Sequence, residues 1–271
     1  MPAREPNGMS KTIQAITLEA HRLPTMAPPP KNAVRSFIDE LDTLGRTIHN
    51  SRRAIWSFSR LAPREIVRGV LDNSISTELG GKRQEITALF TDVRGFTTIA
   101  ESADPDGLMQ QTSRYFTALT DVILSQGGTV DKFIGDAVMA FWNAPNPQTD
   151  HCERACRAAL QAKVAIEAIN RQFEKEGLPP FYTRFGIHFG EAVVGNLGSS
   201  ERMNYTALGS VVNLAARLEG LNKQYDTQVL VSEAVYARVH HRFNCRFVDT
   251  VVAKGMAAET RVYELQDELP D

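Results

Sequence analysis

The segment of residues 128–141 has the sequence GTVDKFIGDAVMAF. It lies across two apolar runs, Thr129–Ile134 and Ala137–Trp142, which are separated by Gly135-Asp136. Short apolar runs on either side of such a pair are typical of a β-hairpin, because glycine adopts turn conformations that other residues avoid. We therefore predict two antiparallel strands that turn at Gly135-Asp136.

The segments around this hairpin alternate between strand and helix patterns. The predicted elements are the strand Ile86–Val93, the helices Asp106–Ser125 and Asp150–Glu176, the strands Tyr182–Phe189 and Ala192–Asn196 turning near Gly190, the helix Val211–Leu221, the strand Val229–Ser232, the helix Glu233–His240, and the strands Phe243–Val252 and Arg261–Leu265. Helices interleaved with hairpins predict an α+β fold, in which helices pack on a mostly antiparallel sheet.

The N-terminal part has a different pattern. Residues 1–36 show little periodicity, and Pro28-Pro29-Pro30 predicts an extended connector. Between Phe37 and Phe58, apolar residues recur in steps of four and three, with Ser51 at one position of the series. This predicts a two-stranded coiled-coil seam of about three heptads. The alternative is one amphipathic helix that packs on its own domain. A short second helix is predicted over Pro63–Leu71.

Composition excludes several classes of protein. The net charge of −2 gives no broad basic surface for nucleic acid, and three cysteines provide no disulfide framework. No apolar stretch approaches the length of a membrane span, and the N-terminus lacks a signal-peptide core. We expect a cytoplasmic, soluble chain.

Two aspartates are candidate metal ligands. Asp92 lies in FTDVRGFT, residues 90–97, and Asp136 lies in the predicted hairpin turn; each follows an apolar run and stands near a glycine. Carboxylates at strand ends suit hard divalent cations. The alternative is that each is an ordinary turn residue or helix cap.

Four motifs resemble the catalytic domain of class III nucleotidyl cyclases. They are FTDVRGFT (90–97), GTVDKFIGDAVMAF (128–141), FGIHFGEAVVG (185–195) and YTALGSVVNLAARLE (205–219), and the resemblance covers nearly all of Glu85–Leu265. It implies a ferredoxin-like, palm-type sandwich. It also implies an adenylyl cyclase, a phosphorus–oxygen lyase that converts ATP to 3′,5′-cyclic AMP and pyrophosphate.

The resemblance assigns the phosphate and metal residues. Asp92 and Asp136, with the backbone carbonyl of Val93, are expected to bind two Mg²⁺ or Mn²⁺ ions. The turn Gly95-Phe96-Thr97 is expected to contact phosphates through backbone N–H groups, which a glycine-opened turn before a helix presents.

The resemblance also assigns residues to the base and the ribose. Lys132 matches the purine-reading position at which lysine indicates adenine and glutamate indicates guanine. Asn213 is expected to orient the ribose, and Arg217 to stabilise charge on the phosphate. These two residues are four apart on one predicted helix, beside its apolar stripe. Without the resemblance, an ion pair between Arg217 and Glu219 is the better interpretation.

The chain departs from the family pattern at two positions. Thr206 stands where many relatives have aspartate, and it resembles the branch with cyanobacterial and bicarbonate-responsive enzymes; its hydroxyl can still accept from the adenine amino group. A Lys-Gly-Lys run is replaced by Lys254-Gly255-Met256, so Lys254 or Arg202 is expected to contact the triphosphate.

In this family, one subunit supplies the metal aspartates and the partner supplies the purine and ribose residues, so a homodimer is expected. Asp39-Glu40-Leu41 with Leu44 also resembles the start of the second helix of a HAMP module, and Ile13–Leu23 resembles a short or incomplete first helix. Such modules usually follow a membrane span, so the resemblance implies an upstream membrane receptor region outside this chain. We predict three segments: a flexible or partial HAMP-like part (1–36), a coiled-coil signalling helix and linker (37–84), and a catalytic domain (85–271). The alternatives are a guanylyl cyclase and a degenerate, non-catalytic dimeric module.

Overall fold

The computed structural model describes residues 6–72, 74–199, 201–252 and 259–270. The chain divides into two compact units, Met1–Glu78 and Leu79–Asp271. The predicted division at residues 36 and 37 stays a prediction. No helix in the described ranges combines the length and the apolar character that crossing a bilayer requires.

The first unit is helical. Its helices are α1 (Pro6–His21), α2 (Asp39–Phe58) and α3 (Arg64–Leu71), with a short 3₁₀ helix at Leu23–Thr25. The helix α1 lies in the part predicted to be flexible. It packs on α2, where the buried Arg52 forms an ion pair with Glu19 and donates to the carbonyls of Ala27 and Pro28.

The predicted seam on α2 is divided between two faces. Leu41, Ile48 and Ile55 are half-buried within the unit, whereas Leu44 is 46% exposed and Phe58 is 63% exposed. Part of the apolar stripe therefore packs inside its own unit, as the single-helix interpretation requires, and part of it faces solvent.

The second unit is the predicted α+β sandwich. Its strands are β1 (Gly80–Val93), β2 (Thr129–Ile134), β3 (Ala137–Trp142), β4 (Thr183–Gly198), β5 (Met203–Leu208), β6 (Val229–Ser232), β7 (Phe243–Val252) and β8 (Glu259–Glu268). Its helices are α4 (Phe96–Ser102), α5 (Pro105–Ser125), α6 (His151–Lys175), α7 (Ser210–Tyr225) and α8 (Glu233–Val239).

The described strands form one sheet in the order β2-β3-β1-β4-β6-β8-β7, and β5 pairs with β4. Only β4 and β6 pair in parallel among these strands, so the prediction of a mostly antiparallel sheet is confirmed. One face packs on α5, α6 and α8, and the other packs on α7. The sheet is therefore covered by helices on both sides.

The predicted turn near Gly190 is wrong. Residues 183–198 form one strand, and Gly190 pairs with Ile86 of β1. The two halves of β4 both pair with β1, which is itself longer than predicted, so they cannot form a hairpin with each other. The hairpin partner of β4 is β5, which the sequence analysis did not predict.

Candidate active site

The two candidate metal ligands lie side by side. Asp92 is the second-last residue of β1, and Asp136 lies in the turn between β2 and β3. Pairing of β1 with β3 brings this turn to the end of β1, where the Val93 N–H donates to Oδ2 of Asp136 (2.9 Å). Gly135 holds the turn with φ at +65°, in the left-handed region that glycine adopts without steric cost.

The surroundings of Asp136 disfavour the charged form of its carboxyl group. Burial raises the pKa of Asp136, and the neighbouring Asp92 carboxylate raises it further, whereas the Val93 N–H lowers it. Two neighbouring carboxylates that are partly buried favour a cation between them. Among the described residues, no group of three or more histidine, cysteine or acidic side chains has an arrangement that could hold a metal ion by itself. This donor set fits Mg²⁺, which proteins commonly bind through one or two carboxylates while substrate phosphates and water complete the shell.

An arginine that the sequence analysis missed contacts this pair. Arg184 lies directly opposite Asp92 across the β1–β4 pairing, and its Nη2 donates to Oδ2 of Asp92 (2.6 Å). Its Nε forms an ion pair with Oε1 of Glu219 on α7 (3.1 Å). Burial and the Asp92 charge raise the pKa of Glu219 to about 7, and Arg184 opposes the rise. A charged residue at the start of an otherwise buried strand was the signal that could have revealed it.

The helix α7 lies unusually close to β4 at Gly186. A Cβ at Gly186 would lie 2.2 Å from the Glu219 backbone nitrogen and 2.3 Å from the Ala215 carbonyl oxygen. Further along, the Asn222 side chain donates to the Phe185 carbonyl (2.9 Å). Glycine at this position is therefore what allows α7 to rest directly on the strand.

Asn213 and Arg217 lie on α7, away from the residues that face the sheet. The buried face of α7 carries Val211, Leu214, Ala215, Leu218 and Asn222, whereas Asn213 is exposed and Arg217 is half-buried. Neither side chain has a hydrogen bond or an ion pair with any residue that the structure describes. The alternative pairing of Arg217 with Glu219 is not formed, because Glu219 pairs with Arg184.

The two predicted purine-reading residues are brought together across 74 positions of sequence. Lys132 on β2 donates through Nζ to Oγ1 of Thr206 on β5 (3.2 Å). Asp131 completes the group, since it accepts from the Thr206 hydroxyl and its Oδ1 lies 3.3 Å from the Lys132 ammonium. Burial raises the pKa of Asp131, and the hydrogen bond from Thr206 and the Lys132 charge oppose the rise.

The predicted phosphate turn enters a helix, as expected. Gly95 has φ at +73° and precedes α4, and no atom lies within 4 Å of where its Cβ would be. Thr97 is exposed, whereas the Phe96 ring packs edge-on against Phe181 with centroids 5.7 Å apart. Only the backbone at Phe96 is therefore available to a ligand.

The remaining phosphate candidates lie elsewhere or cannot be placed. Arg202 is at the exposed tip of the β4–β5 hairpin, where its N–H donates to the Ser199 hydroxyl (3.1 Å). Lys254 and Met256 lie outside the described residues. The roles predicted for Arg202 and Lys254 stay predictions.

Comparison with known proteins identifies a family. A family model described as the adenylate and guanylate cyclase catalytic domain matches residues 81–267. Among curated proteins, the chain is 41% identical over 260 residues to Adenylate cyclase 1 of Rhizobium meliloti, a match that covers 95% of this chain and 39% of that protein. The chain spans less than half the length of the curated relatives compared here, including 48% of an Anabaena cylindrica adenylate cyclase.

Solved structures with the same fold include enzymes of both base specificities. The adenylyl cyclase CyaB from P. aeruginosa is 30% identical with a TM-score of 0.66, and the match covers 70% of this chain and 97% of that one. The guanylyl cyclase Cya2 is 33% identical with a TM-score of 0.66, and the match covers 70% of this chain and 95% of that one.

Proposed function

Because this chain belongs to the family of adenylate and guanylate cyclase catalytic domains, we propose that it converts ATP to 3′,5′-cyclic AMP and pyrophosphate as a homodimer. The observation that carries the choice of ATP is the contact between the Lys132 ammonium and the Thr206 hydroxyl. Similarity to curated adenylate cyclases at 41% and 31% identity supports the same activity.

The two side chains suit adenine better than guanine. The Lys132 ammonium has only donors, which fit the N1 acceptor of adenine, whereas guanine has an N–H at N1. The Thr206 oxygen can accept from the adenine amino group. Similarity to the guanylyl cyclase Cya2 makes GTP the second candidate substrate, and the product assay must include it.

Asp92, Asp136 and the Val93 carbonyl would hold two divalent cations, Mg²⁺ or Mn²⁺. When bound, these ions acidify the attacking ribose hydroxyl and neutralise charge on the triphosphate. The chain's own contribution is to orient both carboxylates. The Val93 N–H fixes one Asp136 oxygen, and Arg184 fixes one Asp92 oxygen.

The orientation of α7 supports a composite site. Asn213 and Arg217 face away from the sheet that carries Asp92, and no described residue pairs with either side chain. In the proposed dimer they complete the site of the other copy. There, Asn213 orients the ribose for in-line attack, and Arg217 donates its planar pair of N–H groups to the phosphate as negative charge develops.

Product identification tests the activity. The purified chain is incubated with ATP or GTP and Mn²⁺, and the nucleotide products are separated by chromatography. We expect cyclic AMP from ATP, little cyclic GMP from GTP, and no product from Asp92→Asn. Cyclic GMP as the main product would establish the guanylyl cyclase alternative. No cyclic nucleotide from either substrate would favour the non-catalytic module.

Complementation tests the composite site. Asp92→Ala and Arg217→Ala should each be inactive alone, because each removes an essential part of both sites in a homodimer. After the two variants are mixed and allowed to exchange, half of the dimers are mixed and each has one intact site, so about a quarter of the wild-type activity should return.

A matched mixture makes this test specific. Asp92→Ala mixed with Asp136→Ala should recover nothing, since both changes damage the metal half of a site. Recovery in this control, or no recovery in the first mixture, would contradict the composite arrangement.

The exposed part of the α2 stripe supports the proposal that two copies pair through this helix. Leu44 and Phe58 are fourteen residues apart, two heptads, and both are exposed. We expect Leu44→Glu to lower the dimer fraction in sedimentation experiments and to make specific activity depend on protein concentration. Val164→Glu, at a 64% exposed apolar residue of α6, is the matched control and should change neither.

A further inference from the structure

A buried carboxylate, Asp131, contacts both predicted purine-reading residues. The side chain of Asp131 is fully buried, and it contacts both the Lys132 ammonium and the Thr206 hydroxyl. Its Oδ1 makes no hydrogen bond to the described residues, although it lies 3.3 Å from Lys132 Nζ. Burying an ionised carboxylate costs folding free energy unless the charge is paired and hydrogen-bonded.

A β-bulge places Asp131 in this group. Val130 pairs with Ala140 and Lys132 pairs with Met139, so Asp131 is the extra residue on β2. In a regular strand, neighbouring side chains point to opposite faces of the sheet. The bulge breaks this alternation and allows both Asp131 and Lys132 to reach Thr206.

The hydrogen atoms of this group can be assigned. An ionised carboxylate only accepts, and an ammonium only donates. The single hydroxyl hydrogen of Thr206 is donated to Asp131, and the hydroxyl oxygen accepts from Lys132. The Thr206 hydroxyl therefore offers only a lone pair, and no hydrogen, to a purine base that approaches it.

We propose that Asp131 determines base specificity by holding the Thr206 hydroxyl as a hydrogen-bond acceptor. An acceptor at this point fits a purine with an amino group at position 6, as in adenine. It repels a purine with a carbonyl there, as in guanine. This inference rests on the proposed cyclase function and names Asp131 as a positioning residue that acts through Thr206.

Asp131→Asn tests the proposal by reversing the hydroxyl. The Lys132 ammonium lies 3.3 Å from Oδ1 and repels an NH₂ group at that position, so asparagine places its one oxygen there and turns its NH₂ group towards Thr206. The amide then donates to the hydroxyl oxygen, and the hydroxyl hydrogen is free to point at the base. We expect the ratio of kcat/KM for ATP to that for GTP to fall by about tenfold, the effect of one hydrogen bond.

A double-mutant cycle with Thr206→Val separates this role from general support of the bulge. Without the hydroxyl, Asp131→Asn should leave the ATP/GTP ratio unchanged, because there is no hydrogen to redirect. An equal loss of activity with ATP and GTP in Asp131→Asn, with the ratio unchanged, would overturn the proposal. So would a change in the ratio that persists in the Thr206→Val background.

Thr206→Val alone keeps the test valid if Asp131→Asn fails to fold. Removing the acceptor should lower kcat/KM for ATP and leave that for GTP unchanged or higher, and an equal loss for both would overturn the proposal. Failure of the proposed function is distinct, because the wild-type chain would then form no cyclic nucleotide from either substrate.

Discussion

Replacing Gly186 with alanine should damage catalysis through a contact remote from the reacting groups. The added Cβ would lie 2.2 Å from the Glu219 nitrogen and 2.3 Å from the Ala215 carbonyl oxygen, both on the backbone of α7. Backbone atoms cannot turn aside as a flexible side chain does. The helix must therefore move away from β4 by about 1.2 Å to restore an ordinary contact distance.

This displacement has two measurable costs. Overpacking of this kind costs about 2–3 kcal/mol of unfolding free energy, and the bond from Asn222 to the Phe185 carbonyl resists the movement. Because α7 carries Asn213 and Arg217, both move with the helix. A misplacement of about 1 Å lowers kcat by about 100-fold when it affects groups that position the substrate.

Thermal unfolding and steady-state cyclase assays measure both costs on the same protein. Gly190→Ala is the matched control, since it lies on the same strand and face and its Cβ would meet Val211 at 3.6 Å, an ordinary contact. It should stay within about 1 kcal/mol of wild type. Wild-type stability and kcat in Gly186→Ala, or equal damage in both variants, would contradict the requirement for glycine where α7 contacts β4.

Three further outcomes are expected. Arg184→Met should lower the unfolding free energy by about 2 kcal/mol, because Asp92 and Glu219 lose their shared cation. It should also tighten Mn²⁺ binding measured by calorimetry, because the Asp92 oxygen that accepts from Arg184 then becomes available to the metal, and unchanged affinity would contradict this expectation. Burial lowers the pKa of His188 from 6.5 to about 4, so the folded state binds no proton there until well below pH 6.5. The contribution of neutral His188 to the free energy of unfolding should therefore be fully present above pH 6.5 and fall by up to about 3 kcal/mol towards pH 4. Urea titrations of His188→Gln should lack this part of the decline. Met256→Lys should lower the KM for ATP by restoring a phosphate-binding lysine, and an unchanged or higher KM would count against the sequence alignment at this position.

The sequence predicted most strands because turn residues mark their ends. The hairpin at Gly135-Asp136 has the predicted bounds on both sides. Gly190 also lies between two apolar runs, but the turn predicted there was wrong, because a glycine marks a hairpin turn only when the two flanking strands pair with each other. Both halves of β4 pair with β1 instead, and this long-range choice leaves no local trace.

Some residues of the candidate site could likewise be predicted from local sequence, and others could not. Asp92 and Lys132 were predicted as site residues because each lies inside a recognisable motif. Arg184 meets Asp92 only through the register of two strands 92 residues apart, and register is not visible in one sequence. Asp131 was missed because side chains alternate between the two faces of a regular strand, so Asp131 and Lys132 are expected on opposite faces. Only the bulge allows Asp131 to reach Thr206.

The β2–β3 hairpin has a consequence for how the proposed dimer responds to substrate. Lys132 and Asp136 are only four residues apart, yet in the proposed dimer they would serve different active sites. Nucleotide bound to Lys132 at one site would therefore act on the same hairpin that positions the Asp136 carboxylate of the other site. The proposed dimer would therefore link its two sites through this one turn, by a covalent route that requires no movement of one subunit against the other.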